Sequence, residues 1–191
     1  MPAAVLAGGA SRRMGRPKAG LEYGGATLLE HQTRRLASVF SPVYAVLKGE
    51  GLLTGSAIVL LDRTPEHAAI HGVIRALEEV DDRVFVLAVD LPALAEGVLR
   101  LIAERSLPSE APAVVPLSGG VLQPLAAVWR RAVLPAARER VARGELSLHG
   151  LAREVGAEVV AEEEWRLADP SGNSFANMNT LEQYVALRER A

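Results

Sequence analysis

Ala3-Ala4-Val5-Leu6-Ala7-Gly8-Gly9-Ala10-Ser11-Arg12-Arg13-Met14-Gly15-Arg16-Pro17-Lys18 passes from a short apolar run straight into a glycine-rich, basic loop. An apolar run of this length without sustained alternation reads as a strand buried on both faces. Gly8 and Gly9 let backbone N–H groups approach an anion with no Cβ in the way, and Arg12, Arg13, Arg16 and Lys18 place four positive charges within seven residues. A bound triphosphate needs these parts, although a solvated basic turn shares the composition. The spacing excludes two common loops. G-x-x-x-x-G-K-[ST] requires Lys directly after its second Gly, whereas five residues separate Gly9 from Gly15 and Lys18 comes three later. The pattern G-x-G-x-x-G is absent.

Outward from this loop, the runs Val43-Leu47, Ala57-Leu61, Val84-Val89 and Ala113-Val115 repeat the character of Ala3-Leu6 and predict further strands buried on both faces. Between them lie stretches of helical spacing. Thr27-Val39 carries Leu28, Leu29, Gln32, Leu36 and Val39 on one face, and Glu66-Val80 places Ile70, Val73, Ile74 and Leu77 likewise. Leu94-Glu104, Arg130-Arg143 and Thr180-Arg190 are further helix candidates, the last opened by a Thr with Glu182 close behind. Val121-Trp129 reads as a strand entered through Gln123 and Pro124. Alternating β and α predicts an α/β domain with a mainly parallel sheet wound on both sides, whose ligands gather outside the carboxyl ends of the strands. No repeat or linker divides the chain, so residues 1–191 read as a single domain.

Composition narrows the function classes. A chain of 191 residues with 49% hydrophobic residues can bury roughly 70% of the surface its unfolded form exposes, without staples. Zero Cys excludes thiolate zinc sites and disulfide frameworks. No stretch reaches the ~20 apolar residues of a membrane span, and the first apolar run is too short for a signal peptide, so the expected place is the cytoplasm. A net charge of −2, with no basic patch interleaved with aromatics, argues against nucleic acid as partner. Only Lys18 and Lys48 are Lys among 21 basic residues, and where Arg is the default cation a retained Lys suits a compact phosphate-binding charge. Lys48 reads first as a solvated surface residue, as charged side chains mostly are.

The chain has five Asp, and two of them follow strands. Asp62 ends Ala57-Leu61; Asp90 ends Val84-Val89 and is followed by Leu91-Pro92, which stiffens the turn. A nucleotide-bound Mg²⁺ takes one or two carboxylates and completes its octahedron with phosphates and water. Each Asp also suits a helix cap or turn. His31 sits at a helical position, while His67, His71 and His149 are too dispersed for a metal motif. Gly-x-Ser-x-Gly is absent, so no nucleophile elbow is present.

LAGGASRRMGRPK resembles the signature loop of the nucleotidyltransferases that activate small phosphorylated metabolites, and most closely that of the molybdenum cofactor guanylyltransferases, which join GMP from GTP to molybdopterin. The resemblance implies a Rossmann-like three-layer α/β/α fold of the nucleotide-diphospho-sugar transferase kind. Val89-Asp90-Leu91-Pro92 is similar to the family's Asp-x-Pro element, which implies that Asp90 binds the catalytic Mg²⁺, and Asp62 falls where the family has an aspartate near the nucleotide. Leu6, Ala7, Gly8, Gly9, Lys18, Asp62 and Asp90 are then the expected nucleotide-binding set, and Lys18, Arg12, Arg13 and Asp90 the expected catalytic one. Gln123-Pro124-Leu125 and Asn177-Met178-Asn179-Thr180-Leu181-Glu182 resemble the elements that face molybdopterin. Gln123, Asn177 and Asn179 are the expected acceptor-binding residues, since an amide both donates and accepts, as a pterin edge requires; Asn179 also suits an Asx turn.

This chain departs from the family in several places. Ala68-Ala69-Ile70-His71-Gly72 stands for Gly-Pro-Leu-Ala-Gly and keeps only the last Gly clearly, Leu47-Lys48-Gly49 has no Asn where the family places one near the nucleotide, and Leu181 replaces a Pro. Lys48 reads as a substitute donor to the base, a phosphate ligand or a surface residue. The expected substrates are GTP and molybdopterin, with transient contact to a protein that delivers the acceptor or receives the product. The same parts serve a cytidylyltransferase using CTP, an enzyme acting on another phosphorylated metabolite, or a nucleotide-binding regulator without turnover.

Overall fold

The run Ala3–Leu6 forms β1, and its residues divide by parity as a strand covered on both faces must. Ala3 and Val5 enter one hydrophobic cluster and Ala4 the other. The computed structural model describes residues 1–8, 18–49, 51–52, 54–176, 178 and 183. After β1 come a 3-10 turn at Lys18–Gly20, the short strands β2 (Glu22–Tyr23) and β3 (Ala26–Thr27), α1 (Leu28–Ala37), β4 (Val43–Leu47), β5 (Ile58–Leu61), α2 (Ala69–Glu78), β6 (Arg83–Ala88) and α3 (Glu96–Ser106). Then follow β7 (Ala113–Ser118), β8 (Val121–Leu122), β9 (Ala126–Arg130), a 3-10 turn at Arg131–Val133, α4 (Leu134–Ala142), α5 (Leu148–Glu154), β10 (Glu158–Val160) and α6 (Glu162–Ala168).

The main sheet runs β10-β7-β9-β6-β1-β4-β5, with β8 paired to β7. β1 is parallel to β4 and β6, β4 to β5, and β7 to β10; β9 runs antiparallel to both β6 and β7. Phe85 and Leu87 of β6 face the cluster that holds Leu28, Leu36, Leu99 and Trp165, while Val84 and Val86 face the one that holds Ile70, Leu77, Leu134 and Leu151. Helices α1, α3 and α6 therefore cover one face, and α2, α4 and α5 the other. Each buried Phe or Leu of this kind contributes about 1.5–3 kcal/mol of apolar burial.

The three-layer α/β/α architecture with a mainly parallel sheet is the predicted one, and most predicted elements form with shifts of one to three residues. The structure differs in three respects. Val121–Trp129 is not one strand. It is β8, a turn at Gln123-Pro124-Leu125 and β9, and the Trp129 indole N–H closes that turn on the Pro124 carbonyl at 3.0 Å. The run ending at Leu61 is an edge strand rather than a doubly buried one, with Ile58 52% and Val59 44% exposed. The β2–β3 hairpin, α5, β10 and α6 carry weak periodicity and were not predicted. The Thr180-Arg190 helix candidate lies outside the described residues apart from Gln183, which is helical.

Strand order fixes where a ligand belongs. From β1 the chain moves to β4 and β5 on one side, then returns to place β6 on the other, so the topological switch lies between β1 and β6. Their carboxyl ends carry Leu6-Ala7-Gly8 and Val89-Asp90.

Candidate active site

Asp90 and Lys18, 72 residues apart in sequence, meet at the switch. The Lys18 ammonium lies 3.0 Å from Asp90 Oδ2, with side-chain exposures of 15% and 25%. Lys18 opens the 3-10 turn that follows the glycine-rich loop. Asp90 follows β6, and its neighbour Val89 donates from its backbone N–H to the Leu6 carbonyl at 3.1 Å, so the ends of β1 and β6 are stitched together. The helix-cap alternative for Asp90 does not hold. α3 starts at Glu96 with Ala95 as its N-cap, and Ala95 donates its backbone N–H to Ser174 Oγ at 3.1 Å.

The turn bearing Asp90 is braced from both sides. Arg35 of α1, held also to Gln32 Oε1 at 3.0 Å, donates to the Pro92 carbonyl at 2.7 Å. The backbone N–H of Met178 donates to the Asp90 carbonyl at 3.0 Å. Upstream of Met178, the buried Asp169 accepts from the backbone N–H and hydroxyl of both Ser171 and Ser174. Burial alone would raise the Asp169 carboxyl, but these hydrogen bonds outweigh it and hold the group below the usual carboxylate range. Ser171 and Ser174 are thus tied to Asp169 at the end of α6, and Met178 to Asp90.

Asp62 lies at the end of β5 and is 6% exposed. Its Oδ1 accepts from the Thr64 backbone N–H at 3.0 Å and the Thr64 hydroxyl at 2.6 Å, an Asx turn, while Oδ2 lies 2.8 Å from the Lys48 ammonium. Lys48 also donates to the Thr64 carbonyl (2.9 Å), the Thr64 hydroxyl (2.8 Å) and the Glu66 carbonyl (2.6 Å), which excludes the surface reading. Burial raises the Asp62 carboxyl, but the bonds from Lys48 and Thr64 prevail and lower it. α2 begins after this turn, at Ala69 rather than at Glu66. A Cβ on Gly8 would stand 3.0 Å from Lys48 Cγ, so glycine there admits the lysine stem, and Gly8 offers its carbonyl to His67 Nδ1 at 3.2 Å. Gly72, the glycine kept from the departed motif, lets α2 press on Leu6, whose Cδ1 would lie 3.1 Å from an added Cβ.

Leu6, Ala7, Gly8, Lys18, Asp62 and Asp90 are therefore gathered at one edge of the sheet. Gln123 joins them, because its turn follows β8 and the Leu125 carbonyl accepts from Ala88 at 2.8 Å; the Gln123 amide itself donates to the Val121 carbonyl at 3.2 Å. Gly9, Arg12, Arg13, Asn177 and Asn179 lie outside the described residues. Reading the sequence missed Asp169, Arg35 and His67. Asp169-Pro170-Ser171 carried an Asx-turn signal that could have pointed to the first, whereas a non-local contact with a carbonyl leaves none.

No group of three or more carboxylates or imidazoles suited to a metal occurs among the described residues. Asp90 is a single partly buried carboxylate beside Lys18. That donor set is too small for a resident metal cage and fits a cation held largely by nucleotide phosphates.

A doubly wound sheet with Gly8, a lysine and a strand-end aspartate at its switch point is the arrangement of a nucleotidyltransferase-type α/β domain. Over residues 3–162 the chain matches the family described as the MobA-like NTP transferase domain, and it belongs to that nucleotidyltransferase family. It is 37% identical over 182 residues to a protein named probable molybdenum cofactor guanylyltransferase from Opitutus terrae, covering 87% of this chain and 88% of that one. Its fold is similar to that of molybdopterin-guanine dinucleotide biosynthesis protein A from Archaeoglobus fulgidus, with a TM-score of 0.87 and 22% identity over 100% of this chain and 98% of the other. It is also similar to that of 2-C-methyl-D-erythritol 4-phosphate cytidylyltransferase from Thermus thermophilus, with a TM-score of 0.70 and 19% identity over 98% and 97%.

Proposed function

We propose that this protein transfers GMP from GTP to molybdopterin. Oxygen of the molybdopterin terminal phosphate attacks the α-phosphorus of GTP in line, the bond from the α-phosphorus to its bridging oxygen breaks, and pyrophosphate leaves with that electron pair. No covalent enzyme intermediate is required, so the protein's work is positioning and charge stabilisation. The observation that carries this reading is the convergence of Lys18 and Asp90 at 3.0 Å beside the end of β1.

Backbone groups of Leu6, Ala7, Gly8 and Gly9 cradle the nucleotide in this reading. Lys18, with Arg12 and Arg13, offsets charge on the triphosphate and on the departing pyrophosphate. Asp90 would hold Mg²⁺, which when bound neutralises charge around the α-phosphate. Asp62 belongs to the nucleotide half of the site, and Gln123, Asn177 and Asn179 to the acceptor half. A cytoplasmic setting and brief contact with the protein that delivers molybdopterin or receives the dinucleotide complete the proposal.

The test is molybdopterin-dependent pyrophosphate release with Mg²⁺, with GTP and CTP side by side and Mg²⁺ omitted in a third arm. Release that prefers GTP and needs Mg²⁺ is expected. A preference for CTP would retain the chemistry and overturn the guanylyl assignment, and silence with both would overturn molybdopterin as acceptor.

A further inference from the structure

We infer that Gln32 and Arg35 of α1 act together as positioning residues for Asp90: they hold the carbonyls on either side of it and so fix where its carboxylate stands. The inference rests on the role proposed above for Asp90 as the carboxylate that holds Mg²⁺ beside the nucleotide.

Asp90 lies in the turn Val89-Asp90-Leu91-Pro92, which makes few bonds of its own. The Leu91 N–H reaches back to the Ala88 carbonyl at 3.4 Å, and Pro92 has no N–H to give. Val89 and Pro92 are both buried, so their carbonyls need donors from elsewhere in the chain. α1 supplies both. The amide of Gln32, a residue with 0% exposure, donates through Nε2 to the Val89 carbonyl at 3.5 Å. Arg35 Nη1 has two protons and two acceptors, the Pro92 carbonyl at 2.7 Å and Gln32 Oε1 at 3.0 Å. The result is a continuous relay from the Val89 carbonyl through Gln32 and Arg35 to the Pro92 carbonyl, and it spans Asp90 and Leu91.

The relay stands on a firm base. Gln32 and Arg35 are three residues apart and share one face of α1. The capping box of Thr27 and Glu30 closes the first turn of that helix, and Leu28, Leu29 and Leu36 root it in the core. The same helix also sets the other half of the ion pair. The Leu28 N–H donates to the Leu21 carbonyl at 2.7 Å, and the Leu21 N–H to the Lys18 carbonyl at 3.0 Å. Lys18 and Asp90 are therefore both placed from α1, although 72 residues separate them. A guanidinium bonds a carbonyl more strongly than a neutral donor does, which suits a turn that must keep its place while charge gathers beside it.

The experiment compares Arg35→Met, Arg35→Lys, Gln32→Leu and the double variant Gln32→Leu/Arg35→Met. Mn²⁺ serves as the probe, titrated by electron paramagnetic resonance into the protein saturated with the α,β-methylene analogue of whichever of GTP and CTP the wild type turns over. Nucleotide affinity is read separately by calorimetry without metal, kcat from pyrophosphate release, and folding by circular dichroism. On the inference, Arg35→Met and Gln32→Leu each raise the Mn²⁺ Kd about tenfold and lower kcat to a similar extent, while metal-free nucleotide affinity stays within about threefold. The double variant is no worse than the weaker single, because the two residues act as one unit. Arg35→Lys keeps a charged donor and loses less than Arg35→Met; it also keeps the inference open to refutation should Arg35→Met fail to fold. Wild-type Mn²⁺ affinity in a folded Arg35 variant, multiplication of the single effects in the double, or a loss of metal-free nucleotide affinity as large as the loss for Mn²⁺ would each overturn it. Wild-type Mn²⁺ affinity in Asp90→Asn would instead overturn the reading on which the inference stands.

Discussion

Asp90 and Asp62 both follow apolar strands and both pair with a lysine, yet their surroundings assign them different work. Asp90 is one quarter exposed and lies 3.0 Å from the Lys18 ammonium at the switch-point crevice. Asp62 is 6% exposed, with both oxygens engaged. Charge placed where a reaction develops charge is worth far more to rate than to stability. Asp90→Asn is therefore expected to lower turnover by roughly 10²–10³-fold while the melting temperature moves by no more than about 3 °C. Steady-state kinetics beside a thermal melt checks this, and a parallel loss of folding would mark Asp90 as structural. Asp90 was legible as a strand-end carboxylate before a Pro. Lys48 was legible only as a rare lysine, because nothing local foretells that residues 62, 64 and 66 will present four oxygens to it.

Helix α3 carries the next level of support. Its first turn takes Ser174 at Ala95, and Gly97 lies against the end of α6, where an added Cβ would stand 2.8 Å from the Ala168 carbonyl oxygen. A backbone oxygen cannot swing aside as a side chain can. Gly97→Ala is expected to destabilise the protein by about 1–3 kcal/mol from the clash, against a gain of at most about 1 kcal/mol in helix propensity. Urea unfolding measures the difference, and a variant as stable as the wild type would mean that α3 and α6 separate easily. Because Asp169 follows α6 and anchors Ser171 and Ser174, the same variant should also raise KM for the acceptor. Helical spacing located α1 through α4, and Thr27 with Glu30 supplies the capping box that starts α1. The starts of α2 and α3 escaped a residue-level reading, since Ala68 and Ala95 offer no capping side chain and the helices begin where neighbouring segments release them.

Across the whole molecule, acid should act in two stages. Burial first, and then the charges of Arg35 and Arg34, push His31 down to about 4 from 6.5. The unfolded chain therefore takes up the His31 proton first, so that this share of stability is complete above pH ~6.5 and is lost as pH falls toward about 4. Asp62 and Asp169 are lowered from 3.8, and their share stands above that value and is lost only as pH falls below it. Urea midpoints taken from pH 7 to pH 3 should fall in both windows. His31→Gln is expected to flatten the upper window and Asp169→Asn the lower; an upper slope unchanged in His31→Gln would place the acid sensitivity elsewhere.

What the sequence by itself determined is the order of apolar runs and amphipathic stretches, hence a mainly parallel α/β sheet, together with the glycine-rich basic loop and the carboxylate after the fourth apolar run. These are legible because burial imposes a local period on each segment and because phosphate binding demands particular residues close together in the chain. Only the tertiary structure decided that β9 inserts antiparallel between β6 and β7, that the strand before Asp62 lies at the sheet edge, and that Lys18 meets Asp90 while Lys48 meets Asp62. Strand neighbours and ion-pair partners are chosen among segments far apart in sequence, by the competition of whole faces for burial and of buried charges for partners, and that choice leaves no periodic trace in the residues themselves.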